Sequence, residues 1–428
     1  MMAKRKFGAK MGLCAVLWLA AAFCAMPLGA AQEQPINAPE PLQPVKTPEL
    51  PDRLPDKPSQ PPVFKIPVGT MGFSAPGAIY LGQHDSLVSL DFLDEDRLLF
   101  TFRVPGLMHR ESVEGDERQI RALVLKLPSG AVEAEALWTV HDRQRSLWML
   151  NDGHFLLRDR DTLEVGDAAL ELKPFLRFPG PLVWLEMDPA QQLLVTNTRE
   201  ATAKAGGDST LEVRILSRDT GKVLLVSRAA STVHLPINSD GYLESERVRG
   251  NLWLLRMNAF SGGSATLGQV ESTCSPIFDF LSQREVLVTV CSNAGVGKLI
   301  AMSTNGRRLW QAQSSAATAW PLVLPAPNGL RLAREALALT QPLGGRSTIG
   351  PEEISGQLVE ILDAADGKVA LETSATPVLD AGGNVAISPS GRRVAVLNGG
   401  AIQIFELPPP PPLPASALPE PAAHPPSN

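Results

Sequence analysis

The residues able to do chemistry are few, and their spacing restricts them further. His84, His109, His141, His154, His234 and His424 are the only histidines. None is spaced from another histidine or a cysteine as a zinc site requires. There is no Gly-x-Ser-x-Gly elbow, no phosphate-cradling glycine loop and no aspartate-rich calcium loop. The isolated NSDG at 238–241 reads as a turn. No catalytic residue, cofactor site or metal site is therefore expected, and the identity of any ligand is not written in the sequence. Of the four cysteines, Cys14 and Cys24 lie in an apolar N-terminal stretch, which leaves Cys274 and Cys291 as an even pair.

The N-terminal stretch reads as an export signal. Lys4, Arg5, Lys6 and Lys10 precede an apolar run over 11–28, and Gly29, Ala30 and Ala31 follow. Cleavage after Ala30 or Ala31 is expected, with no membrane insertion afterwards. A retained membrane anchor is the competing reading, since the run reaches the lower limit for a spanning helix. Residues 31–63 hold ten prolines between Pro35 and Pro62, and 408–428 hold ten more. Such segments bury too little surface to offset their ordering entropy, so both are expected to be disordered spacers around a folded region at 64–407. Without residues 1–30 the chain carries 35 basic and 45 acidic residues and no basic run of five. Nucleic acid is thereby excluded as an expected partner.

Some 340 residues remain, and they repeat. An apolar strand, a polar turn, a second strand, a variable loop, a third strand, a glycine turn and a fourth strand recur in that order. Residues 182–198 lead to a hairpin around Asp219, Thr220 and Gly221. Residues 278–293 lead to one at Asn305-Gly306, residues 322–339 to one at Asp366-Gly367, and residues 87–103 to one at Ser129-Gly130. Weaker units fill 146–175 and 232–271, and a last one closes the region after Asn384. The turns use residues that tolerate positive φ, and the strands are rich in Val, Leu and Ile. Seven units predict an all-β fold, a seven-bladed β-propeller. A pair of β-sandwich domains has similar strand counts. The last unit has only three strands, so an N-terminal strand is expected to join the last blade and close the ring. PGAIYLG at 76–82 is the segment expected to supply it.

In this frame the two cysteines meet. With Ser282-Gln283 at a hairpin tip, residues facing each other have numbers totalling 565, as 274 and 291 do. Facing strand residues are ~4.5–5.5 Å apart at Cα, within reach of a disulfide. Two buried free thiols are the alternative.

The unit LIAMSTNGRRLWQAQ at 299–313 resembles the Ala-x-Asp-x-x-x-Gly-x-x-x-Trp repeat of quinone-dependent dehydrogenases and outer-membrane assembly propellers. Ser303 stands in place of the Asp, and the turn before Gly306 is one residue shorter. Leu225 and Leu371 stand where other units of that family carry the Trp. The chain is thus similar to secreted bacterial propellers of the quinoprotein-like and YVTN-type repeat superfamily. That resemblance implies a propeller over about 76–407, and the departures argue against a tryptophan belt that would bind quinone.

Three long loops between second and third strands, at 103–118, 199–208 and 340–355, gather on one face of such a fold. Arg103, His109, Arg110, Arg199 and Arg346 form a candidate binding face there, able to attract an anionic partner. The expected protein is a monomeric, exported, non-enzymatic scaffold, periplasmic or secreted, that binds a protein or glycan in the cell envelope. An enzyme at the channel mouth, a lactonase-like hydrolase or a quinone-dependent oxidoreductase, is the alternative. Assembly through the proline-rich flanks is a third reading.

Overall fold

The computed structural model describes residues 54–75, 88–112, 115–141, 147–199, 210–292, 297–315, 317–342, 349–379 and 382–413. Among these are 27 strands and two three-residue 3-10 turns. Beyond β1 (Phe64–Pro67), the strands form seven antiparallel sheets in chain order, the blades of a seven-bladed β-propeller. Blade 1 is β2 (Val88–Phe92), β3 (Arg97–Ser112), β4 (Gly115–Lys126) and β5 (Ala131–Val140). Blade 2 is β6 (Leu147–Met149), β7 (Phe155–Asp159), β8 (Thr162–Gly166) and β9 (Leu172–Arg177). Blade 3 is β10 (Leu182–Met187), β11 (Leu193–Arg199), β12 (Leu211–Ser217) and β13 (Val223–Ala229). Blade 4 is β14 (Gly241–Arg249), β15 (Leu252–Ala259) and β16 (Ser264–Glu271). Blade 5 is β17 (Ile277–Phe280), β18 (Glu285–Val290), β19 (Lys298–Ser303) and β20 (Arg308–Gln313). Blade 6 is β21 (Thr318–Pro325), β22 (Arg331–Leu339), β23 (Ile354–Asp363) and β24 (Val369–Ala375). Blade 7 is β25 (Val385–Ile387), β26 (Arg393–Asn398) and β27 (Ala401–Glu406), with β1 outside β27.

The core is a set of layers between neighbouring blades. Strands rich in Leu, Val and Ile present apolar side chains to both sheet faces, so each blade must be covered on both sides. Leu98, Leu123 and Leu125 of blade 1 pack with Leu397, Ile402 and Ile404 of blade 7. Equivalent layers join every other pair of adjacent blades round to Val359, Ile361, Val394 and Phe405 between blades 6 and 7. The layer between blades 3 and 4 is the thinnest, with four buried members: Val195, Val213, Ile215 and Ile237.

Ring closure differs from expectation in one respect. The outer edge of blade 7 is taken by β1, with Phe64 opposite Ile404 and Ile66 opposite Ile402. Residues 76–82, expected in that place, lie outside the described residues. The four-residue strand follows Pro61-Pro62 and ends in Pro67, which disguises it as linker, yet Ile66 is 3% exposed in the blade 7–blade 1 layer. The proline-rich flanks also touch the propeller. Ser59 N–H donates to Glu372 O at 2.8 Å on the outer strand of blade 6, and Leu413 packs against the layer between blades 5 and 6 that holds Leu299, Trp310 and Leu362. Residues 1–53 and 414–428 lie outside the described residues. No helix among the described residues is long and apolar enough to cross a membrane.

Blade 4 departs from the four-strand order. Its innermost strand shrinks to a single bridge, Ile237 to Tyr242. Pro236 has no N–H for a ladder. Two residues on, Asn238 Oδ1 accepts from Asp240 N and Gly241 N, both at 2.9 Å, and turns the chain back. The expected loop at 103–118 is instead a hairpin. After a register shift between Arg103 and Met108, β3 and β4 pair on through His109 and Glu117.

Cys274 and Cys291 form a disulfide, with S–S 2.07 Å and Cα–Cα 5.6 Å. The register behind the expectation is shifted by one: Ile277 faces Thr289 and Phe278 faces Val288, so the turn centres on Gln283. The bridge survives because both cysteines lie beyond the ladder, where Thr273 N–H donates to Cys291 O and Cys291 N–H donates to Ser272 Oγ. Trp310 is 1% exposed, and its Nε1–H donates to Ala364 O at 2.7 Å. A Cβ on Gly367, where φ is +71°, would lie 2.6 Å from its ring, so that turn requires glycine.

Candidate functional site

Each blade's first strand lines the central channel and runs into a short turn before the second strand. These seven turns share one face. The connections between second and third strands lie on the other, because antiparallel strands reverse direction at every turn. Long side chains stitch the first face together. Gln283 on the blade 5 turn donates through Nε2 to Asp188 Oδ2 of blade 3 at 2.9 Å. It also receives Asn238 Nδ2 and Ser239 N–H of blade 4 on its oxygens. Gln191 of blade 3 donates to Met149 O of blade 2 and accepts from Asn151 N. Glu95 of blade 1 accepts from Ser390 N of blade 7 at 2.6 Å. Asp188 is saturated, also accepting from Ala190, Gln192 and Leu193 N–H groups, so it organises its own turn.

Inside this rim is a cavity of about 390 Å³ whose lining comes from all seven blades. Among the described residues its charged members are Asp91, Glu186, Asp188 and Asp279, with no Lys, Arg or His. The remainder is mostly apolar, including Met187, Phe280, Leu324 and Ile387. Blade 4 contributes only Pro236 and Ile237, because its first strand is curtailed.

At that gap three titratable groups converge. Glu186 of β10 accepts from His234 Nδ1 at 2.7 Å and from Leu235 N at 3.0 Å. The His234 ring stands edge-on to Trp184, centroids 4.3 Å apart. The hydrogen bond to Glu186 raises the His234 pKa above its ordinary value, against burial, which lowers it. Asp279 of β17 lines the cavity, and among the described residues its carboxyl has no hydrogen-bond partner. Burial pushes its pKa up to about 7, the Glu186 charge adds to the rise, and His234 opposes it. The residue as a whole is partly exposed, but protein encloses its carboxyl on nearly every side, which is why desolvation leads.

The sequence-derived face lies elsewhere. Arg103 is half-buried on β3 opposite Ile120, and Arg199 is exposed at the end of β11, its N–H donating to Pro181 O. Both belong to the end of the blades remote from the cavity. His109 and Arg110 pair along the β3–β4 hairpin with Glu117 and Asp116, but their side chains lie outside the described residues. Arg346 lies outside them entirely. Asp91, Glu186 and Asp279 were missed. The available signal was a lone carboxylate in otherwise apolar first strands: VSLDF, LVWLEM and IFDF. Among the described residues, no three His, Cys, Asp or Glu side chains are grouped to hold a metal ion.

No family model matches the chain, and no curated protein matches it in sequence. Among solved structures, it is similar to the acylaminoacyl peptidase of Pyrococcus horikoshii in its orthorhombic crystal form (TM-score 0.46, 10% identity, 72% of this chain and 48% of that one). The uncomplexed form of that enzyme gives TM-score 0.47 and 9% identity over 77% of this chain and 52% of that one. Hsv2p of Kluyveromyces lactis gives 0.37 and 11% over 61% of this chain and 73% of that one. The chain spans about half the length of the peptidase chains it matches.

Proposed function

We propose that this chain is an exported, monomeric, non-enzymatic scaffold, periplasmic or secreted, whose propeller recognises a protein or glycan of the cell envelope. The ligand seats at the acid-lined end of the channel. One observation carries this reading: a cavity built from all seven blades and held by a rim of cross-blade hydrogen bonds. Preformed, mainly apolar concavities with a few placed polar groups are where ligands bind. The Cys274–Cys291 bridge is in keeping with an oxidising compartment. A photo-crosslinking residue placed at Pro327, on the cavity rim, should capture an envelope partner, and one at Arg199 should capture none. Capture only at Arg199 would move recognition to the opposite face.

A second reading is favoured by Asp279, whose pKa near 7 beside the Glu186–His234 pair suits a general acid or base. Turnover in a hydrolase screen that Asp279→Asn abolishes would establish an enzyme instead.

A further inference from the structure

The geometry points to a basic side chain, the ammonium of a lysine or the guanidinium of an arginine on a protein partner, as the group that enters the cavity and meets Asp279. This rests on the reading of the channel as the binding site and adds the chemistry of its occupant. Two independent observations support it. Among the described residues the lining carries four carboxylates and no basic residue. Three of the four are already engaged: Glu186 by His234 and Leu235, Asp188 by its turn and Gln283, and Asp91 by Ser89. Among the described residues, Asp279 is the lining carboxylate that faces the cavity without a hydrogen-bond partner. A carboxylate enclosed by protein and left unpaired is costly, and a cation donating to it removes that cost.

The walls select the kind of cation. Met187, Phe280, Leu324 and Ile387 line the approach with apolar surface. Lysine and arginine carry their charge on an apolar stem that such walls can cover. An amino sugar carries its charge on a polar ring and would leave hydroxyls against those walls. The neighbouring surface groove extends the same sign of charge, with Asp94, Glu95, Asp152 and Asp167 against Arg97 and His154. A segment with several basic residues therefore gains outside the cavity as well as within it.

Binding should also depend on pH. The groups facing Asp279 are Glu186 on β10 and His234 on the linker from blade 3. Asp91 and Asp188 are the other charges of the cavity, and among the described residues blades 2, 4, 6 and 7 contribute no charged residue to its lining. Protonating Asp279 removes the carboxylate that the cation needs, so affinity falls with acidification.

The test is calorimetric titration of the full chain with an N-acetylated, C-amidated tetralysine peptide. At pH 8 the peptide should bind. Asp279→Asn and Asp279→Ser should each weaken binding by about tenfold, which is about 1.4 kcal/mol. Glu271→Gln, an exposed carboxylate on the outer strand of blade 4, should leave it unchanged. Lowering the pH from 8 to 6 should weaken the wild type by up to about tenfold and the Asp279 variants little. Absence of peptide binding would overturn the inference, as would equal loss in Glu271→Gln and Asp279→Asn, or tighter binding of a glucosamine tetramer than of the peptide. In each of those cases a partner still captured from Pro327 would leave the channel as the binding site. Loss of that capture as well would remove both.

Discussion

Replacing Asp279 with asparagine should stabilise the protein above neutral pH and leave it nearly unchanged in acid. In the folded chain the carboxyl holds its proton up to about 7, against 3.8 ordinarily. The unfolded chain releases that proton earlier, so stability falls as pH rises through this interval and levels off above it. At about 1.36 kcal/mol for each tenfold change in proton affinity, the full cost of ionisation is about 4 kcal/mol. More than half of it falls between pH 5 and pH 7. Because Asp279 is partly exposed, solvent screening reduces this, so we expect the gap between variant and wild type to widen by about 2 kcal/mol from pH 5 to pH 8. The raised pKa of His234 removes stability in the same direction, but it acts in both proteins and largely cancels in the comparison. Urea denaturation at half-unit pH intervals reads the difference. Parallel curves for wild type and Asp279→Asn would refute the argument, because they would mean that Asp279 ionises as freely folded as unfolded.

Three further outcomes are expected. Reducing Cys274–Cys291, whose partners are 17 residues apart, should cost about 3 kcal/mol in urea denaturation; two alkylatable thiols in the native oxidised protein would contradict the bridge. Ile66→Ala should cost about 2–5 kcal/mol, and Ile66→Asp should strip amide protection from β27; unchanged hydrogen exchange there would show that β1 is not needed for closure. Arg334 and Glu360 are paired on neighbouring strands of blade 6, 1% and 0% exposed, and burial raises the Glu360 pKa while Arg334 lowers it. Arg334→Met should therefore cost about 3–5 kcal/mol, and adding Glu360→Leu should recover most of that; a single variant as stable as the double would sink the reasoning.

The repeat was legible because its turns are chemically marked. Gly130, Gly221, Gly306 and Gly367 all take positive φ at the third-to-fourth strand turns. Four alternating strands around such turns leave few architectures open. What escaped was set by packing rather than by local preference. FKIP has the composition of the linker around it and becomes a strand only because blade 7 has an open edge. The blade 5 hairpin turns on one residue more than assumed, which moved the register though not the disulfide. The unit at 232–271 was expected to follow the four-strand order, while Pro236 and the Asn238 turn permit only a bridge in place of its first strand. For the site, loop length drew attention to the face bearing Arg103 and Arg199. The channel acids sit one to a strand and become a group only when the ring brings blades 1, 3 and 5 around one cavity.

The pairing of Phe64 with Ile404 also sets a timetable for making the protein. The first strand of the propeller is synthesised some 340 residues before its partner. At about 5–20 residues per second of chain growth, its apolar side chains and open amides wait roughly 17–70 s for a mate. Pro61 and Pro62 before the strand, and Pro67 at its end, lack the N–H groups that another chain's strand edge would seek. Fewer donors leave the segment a poorer template for neighbouring nascent chains until the seventh blade arrives.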